Sequence, residues 1–257
     1  MFATLAGVTL AVTMMGTPGI LPAGAGVPDS PRLIEVTLVA HPEVRARSAW
    51  RGTVKQALAE ATEDWADLCG VRLAVTAEST WDPGIPGDLS ETVAAWSARE
   101  TAAPEAEPSR MFVLVMPGGE GPPDDVLGFA LLARPVIAVR LADATRLKLT
   151  LRHELGHVFG LPHLPGRNVM AESFEKRSWV FEPMAGDVLR ANRAIDFSGG
   201  DPFAGCDRDV LRDAYSVWAE RGVGEAGLLR RLAISFRAAG RTADADACDA
   251  MAEHLSR

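Results

Sequence analysis

Apolar and polar residues alternate through RLIEVTLVA, and that two-residue period predicts a half-buried strand over Leu33–Val39. The period then changes. In GTVKQALAEATEDWADLCG, Val54, Leu58, Ala61, Trp65 and Leu68 recur at steps of three and four, which predicts one amphipathic helix stopped by Gly70. VRLAVTAE reads as a second strand. Residues 79–110 are rich in Pro, Ala, Glu and Ser and read as a long surface excursion with a short helix at Val93–Ala98. MFVLVMPGG is apolar enough for a central strand, and VLGFALLARP and VIAVRL give two more, separated by Pro135. ATRLKLTLRHELGHVFG is the next helix, ended by Gly160 and Pro162. Residues 164–183 read as mostly irregular, and a further helix is expected over Ala185–Ile195.

This order of elements predicts an α+β fold, a mixed sheet with helices packed against it. A Gly/Pro-rich break at FSGGDPFAG precedes three short helical stretches, CDRDVLRDAYSVWAERG, EAGLLRRLAISFRAAG and DADACDAMAEHL. Leu228, Leu229, Leu232 and Phe236 mark the apolar face of the middle one. The expected organisation is a leader and short N-terminal segment (1–31), a main domain (32–196) and a helical extension (200–257). Whether the extension is an appendage or part of the main core stays open on sequence alone.

The stretch LRHELGHVFGLPH changes the picture, because it holds three of the five histidines in the chain. His153 and His157 are four apart on a predicted helix, so both imidazoles face one side, one turn apart. They can share one metal ion. Gly160 permits a sharp turn that returns His163 as a third ligand, and Pro162 stiffens the return. Three protein ligands leave a fourth position open, the pattern of catalytic sites. Glu154, beside the first ligand, has the placement of a general base acting on water. A bare HExxH is weak on its own; here a glycine and a third histidine extend it on a predicted helix.

HELGHVFGLPH resembles the HExxHxxGxxH signature of the metzincin clan of zinc endopeptidases. The short gap to Met170, in LPGRNVM, looks most like matrixin-type and compact bacterial members. The resemblance implies a twisted, mixed five-stranded sheet and one catalytic zinc ion held by His153, His157 and His163. It also implies peptide hydrolysis by a metal-activated water, with Glu154 as base and Met170 in a tight turn beneath the metal. It further implies that an edge strand at Leu127–Ala133, with Gly128, Phe129, Ala130 and Leu131, pairs with an extended peptide substrate. Trp179 in AESFEKRSWVFEP resembles the outer wall of the substrate pocket, and a plain core role for it carries equal weight. An ordinary core role for Met170 and a covered strand edge stay open as well. The likeness is strong over Leu151–Met170 and weak elsewhere between Leu33 and Ile195. The only tyrosine, Tyr215, lies far beyond the Met-turn, which disfavours the astacin-like branch. No calcium loop or latency cysteine of the family pattern is evident, and Asp29 is a faint candidate for masking the metal.

Two rivals remain: a catalytically idle zinc-bound structural or protein-binding module, and a zinc-dependent endoribonuclease with related histidine spacing. Glu154 weighs against both. The formal net charge of -8 also weighs against phosphate-backbone partners, so no nucleic acid is expected. At 257 residues, with 47% hydrophobic and 23% charged residues, the chain can build one substantial core.

The first charge is Asp29. The apolar run Phe2–Met15, followed by AGA at Ala23–Ala25, reads as an export signal lacking its basic leader. An uncleaved anchor and a buried first element are alternatives; Gly16, Pro18, Gly19 and Pro22 interrupt the run before spanning length. The expectation is a secreted or cell-envelope protein whose mature form has no stable membrane insertion. In that setting Cys206 and Cys248 could form a disulfide, leaving Cys69 over; three buried thiols are the alternative.

Overall fold

Strand β1 (Arg32–Ala40) divides its side chains between two cores: Ile34, Val36, Leu38 and Ala40 point to one, Val39 to the other. The same division recurs on β3 (Arg110–Met116), with Met111, Val113 and Val115 opposite Phe112, Leu114 and Met116. A strand buried on both faces has to be apolar throughout, which explains MFVLVM. The computed structural model describes residues 30–81, 88–101, 107–118 and 126–257. The expected export leader and Asp29 lie outside the described residues.

Between β1 and β2 (Val71–Thr80) come three helices, α1 (Pro42–Arg45), α2 (Trp50–Ala61) and α3 (Trp65–Cys69). The single helix expected over 52–70 is therefore broken. Its cause is long-range: the Arg152 guanidinium takes the Ala61 carbonyl at 2.9 Å, so the Trp65 amide turns to the Thr62 carbonyl instead. Gly70 ends α3 in the left-handed conformation, φ 69°, as expected of a stop signal.

The expected surface excursion corrects more substantially. Helix α4 (Leu89–Thr101) is three turns long and starts on an Asp88 carboxylate that accepts from the Ser90 and Glu91 amides. Leu89, Val93 and Trp96 pack with Phe112, Leu114, Met116, Val136 and Ala138, covering the second face of the sheet.

Strands β4 (Gly128–Ala130) and β5 (Val136–Arg140) complete a five-stranded mixed sheet in the order β2-β1-β3-β5-β4. All neighbours are parallel except the antiparallel β4–β5 pair. The VLGFALLARP strand is shorter than expected because the chain turns at Ala133, which has φ 52°.

Helix α5 (Ala144–Val158) packs on the larger core, starting on an Asp143 side-chain cap. Helix α6 (Pro183–Ala191) follows, continued by a 3₁₀ turn at Asn192–Ala194. Helices α7 (Arg208–Glu220), α8 (Ala226–Ala238) and α9 (Thr242–Leu255) form the C-terminal helical region. Leu211, Trp218, Leu228, Leu232 and Phe236 belong to the same apolar cluster as Ile137 and Leu155, so these helices share the main core. Among the described residues, no helix is long and apolar enough to cross a membrane.

The cysteine expectation is corrected: Cys69, Cys206 and Cys248 are all free thiols. Cys248 is buried on α9, whereas the Cys206 thiol is turned to the Pro202 carbonyl at 3.6 Å. Burial raises all three thiols, Cys69 and Cys206 to about 12 and Cys248 to about 11, which keeps them neutral.

Candidate metal centre

Helix α5 carries His153 and His157 on one face, and both rings are buried. The helix ends at Phe159, and Gly160 adopts φ 87°, a left-handed turn that a β-carbon would obstruct. A β-carbon there would lie 2.7 Å from both the Asn192 Nδ2 and the Tyr215 hydroxyl. The Leu161 amide then bonds the Gly156 carbonyl at 2.9 Å, and the chain folds back to present His163.

The second nitrogens set the ligand orientation. His153 Nδ1 meets the Val169 carbonyl at 2.8 Å, and His157 Nδ1 meets the Leu161 carbonyl at 2.7 Å. A carbonyl only accepts, so both rings donate through Nδ1 and keep a lone pair on Nε2. His157 Nε2 lies 3.1 Å from His153 Nε2 and 3.2 Å from His163 Nε2. Tetrahedral zinc with ordinary zinc–nitrogen bonds separates its ligand nitrogens by about 3.3 Å. The residues therefore fit such an ion; they form a cluster compatible with metal binding, two rings buried and His163 exposed.

Electrostatics favour the same state. Burial lowers His157 to about 3 and lowers His153 and His163 as well, so the imidazoles are neutral, as metal ligation requires. Glu154 is buried on the same helix, and burial lifts its carboxyl to about 8, an effect the Arg177 charge partly offsets.

Two glycines make room at the site. A β-carbon on Gly128 would fall 2.5 Å from Thr150 Cγ2, 2.7 Å from Glu154 Oε1 and 2.8 Å from Glu154 Cγ, so edge strand β4 lies directly against the glutamate. A β-carbon on Gly156 would fall 2.3 Å from Met170 Sδ, so Met170 packs directly against the helix that carries His153 and His157.

No family model and no curated protein sequence matches the chain. Solved structures resemble parts of it. One is a chaperone–substrate complex, at 18% identity and TM-score 0.46, covering 64% of this chain and 34% of that chain. Another is metalloproteinase-II from Bacteroides fragilis, at 13% identity and TM-score 0.47, covering 66% of this chain and 56% of that chain. A third is an archaemetzincin from Methanopyrus kandleri, at 19% identity and TM-score 0.44, covering 64% of this chain and 97% of that one.

The other residues singled out by sequence are divided by the sheet. Gly128 and Ala130 lie on the α5 side, Ala130 packing on the larger core, whereas Phe129 and Leu131 pack on the α4 side. Among the described residues, no ring contact or hydrogen bond joins Trp179 to the histidines. Its ring is covered by the Arg152 guanidinium at 4.7 Å and its carbonyl accepts from Arg152 Nε, which places it with the α2–α5 junction.

Two residues escape the sequence reading. Asn168 Oδ1 accepts from the Met170 amide at 2.7 Å, while its Nδ2 donates to the Pro165 carbonyl at 2.9 Å; this closes the tight turn holding Met170. NVM inside a Gly/Pro-flanked loop is a turn signal that could have indicated it. Arg177 donates to the Ala171 carbonyl at 3.0 Å and the Glu172 carbonyl at 3.3 Å, and its charge acts on Glu154 and on each histidine of the cluster. No local pattern in the sequence distinguishes it from other arginines.

Proposed function

We propose that the protein is a zinc-dependent endopeptidase acting on extended peptide or protein substrates. The observation that carries this reading is the convergence of three Nε2 atoms, two pairs 3.1 and 3.2 Å apart, beside one buried carboxyl. His153, His157 and His163 are the residues that would hold the ion. When bound, zinc supplies Lewis acidity toward a peptide carbonyl and toward water. His153 and His157 keep their orientation through the Val169 and Leu161 carbonyls. Glu154 accepts a proton from the attacking water as the C–O bond forms, and then gives it to the amine nitrogen as the peptide C–N bond breaks. Burial raises the carboxyl, to about 8, and the Arg177 charge draws it back toward the ionised form that accepts a proton, as a bound cation would. The Gly128–Ala130 edge borders Glu154 and offers backbone groups to an extended chain. The apolar leader supports action outside the cytoplasm.

A buried carboxyl is costly to keep where it does nothing, which disfavours the catalytically idle alternative. The test pairs bound-metal quantification with a peptide-library digest. Glu154→Gln should retain zinc and lose about 10²–10⁴-fold in turnover. His157→Ala should lose both metal and activity. Undiminished cleavage by Glu154→Gln would remove Glu154 from its role; a folded wild-type protein that binds no zinc would remove the whole reading.

A further inference from the structure

Arg177 is an unusual neighbour for a site that holds a cation. Its side chain is half-buried, fixed through Nε by the Ala171 carbonyl and through Nη2 by the Glu172 carbonyl, with the Phe174 ring 5.7 Å from its Cζ. Ala171 directly follows Met170, and the Val169 carbonyl on the other side of Met170 holds His153. The guanidinium is thereby tied to the turn that supports the cluster. Among the described residues, no carboxylate lies within ion-pair reach of it. A guanidinium has five N–H donors, and two carbonyls leave several of them without a protein acceptor. Glu154 acts on this charge from beyond ion-pair distance and accepts no hydrogen bond from it, so the remaining N–H groups lack an anionic acceptor, and burying them unpaired is unfavourable. A carboxylate bound to those N–H groups would relieve that penalty.

We propose that Arg177 recognises a carboxylate on the substrate, and that this protein selects peptides carrying an acidic group close to the scissile bond. The carboxylate can belong to an Asp or Glu side chain or to the free end of the peptide. A planar guanidinium receives either as a bidentate, charge-assisted pair. The proposal rests on the peptidase reading and names its substrate class. A purely structural Arg177, merely tying two turn carbonyls, predicts lost stability and unchanged substrate preference.

The experiment uses the full-length, zinc-loaded protein with wild-type, Arg177→Gln and Arg177→Lys sequences, matched for zinc content. One peptide set exchanges Glu for Gln at each position flanking the cleavage point; a second compares free with amidated C-termini. Wild type should prefer the carboxylate at one position or at the terminus by ~10-fold or more in kcat/KM, mainly through KM. Arg177→Gln should bring that ratio near one while neutral peptides are still cut; Arg177→Lys should restore part of it. The set that shows the preference identifies the source of the carboxylate. No preference in wild type, or one that survives Arg177→Gln, overturns the proposal. Succinate affinity, measured by calorimetry on the same zinc-loaded proteins, gives a readout independent of hydrolysis. It should weaken by ~10-fold in Arg177→Gln, and equal affinities would overturn the proposal even if hydrolysis is observed. If wild type cuts no peptide, the peptidase reading fails, and the succinate comparison still decides whether Arg177 binds a carboxylate.

Discussion

Gly156 shows how little space is left unused beside the histidine cluster. The volume a methyl group would need is filled by Met170, whose sulfur would sit 2.3 Å from an added β-carbon. Gly156→Ala must therefore displace a fully buried methionine. We expect a loss of about 1–3 kcal/mol in urea unfolding and weaker zinc retention, despite alanine's better helix propensity. Gly52, also helical, meets nothing within 4 Å and serves as the control. Its change to Ala should stabilise by about 0.5–1 kcal/mol. Equal responses at the two positions would contradict the packing argument. The histidines and Glu154 were readable from sequence because all lie within eleven residues, where helix period and one glycine turn determine which atoms meet. Arg177 was not, since its role depends on carbonyls presented by a folded turn, and Asn168 was signalled only by NVM in a Gly/Pro-flanked loop.

At the scale of elements, α5 is locked to α2 and α3 through Arg152. This buried guanidinium donates to the Ala61 and Trp179 carbonyls and pairs with both oxygens of Asp64, at 2.7 and 2.9 Å. The hydrogen bonds from Arg152 hold the Asp64 carboxyl below its ordinary value, even though that side chain is 47% exposed. A lowered carboxyl contributes stability above its unfolded pKa, near 4, and loses it as pH falls through the folded value. Asp64→Asn should thus cost about 1–2 kcal/mol at pH 7, discounted for exposure, with the gap to wild type closing toward pH 2. Urea midpoints across that range measure it; a gap that does not change with pH would contradict the ion-pair account. The same contact explains why one helix was expected where two exist: the competing donor lies 91 positions away in the chain. Helix α4 was partly hidden for another reason. Its core residues Leu89, Val93 and Trp96 are sparse within an Ala-, Glu- and Ser-rich stretch, so composition outweighed period.

Across the whole molecule, the C-terminal helices reach back to the turns beside the cluster. The Tyr215 hydroxyl donates to the Gly160 carbonyl at 3.0 Å, and Arg231 donates to the Leu132 and Ala133 carbonyls at 2.7 and 2.9 Å. The Ala133 amide in turn bonds the His157 carbonyl at 3.1 Å. Sequence left open whether these helices stood apart, because a shared core shows only when partners are known. Tyr215→Phe should lower stability by about 1 kcal/mol, the ordinary value of one internal hydrogen bond. It should also weaken zinc affinity severalfold by loosening the turn before His163. Zinc titration with thermal unfolding tests this; unchanged affinity would restrict Tyr215 to packing. Arg231 holding the carbonyl of a left-handed alanine has a wider consequence. Defects in ion retention can arise from substitutions far downstream in the chain that touch neither ion nor ligand. A mutational screen scored by distance from the cleft would file them as unrelated folding lesions, and only restoring activity with excess zinc would reveal their kinship.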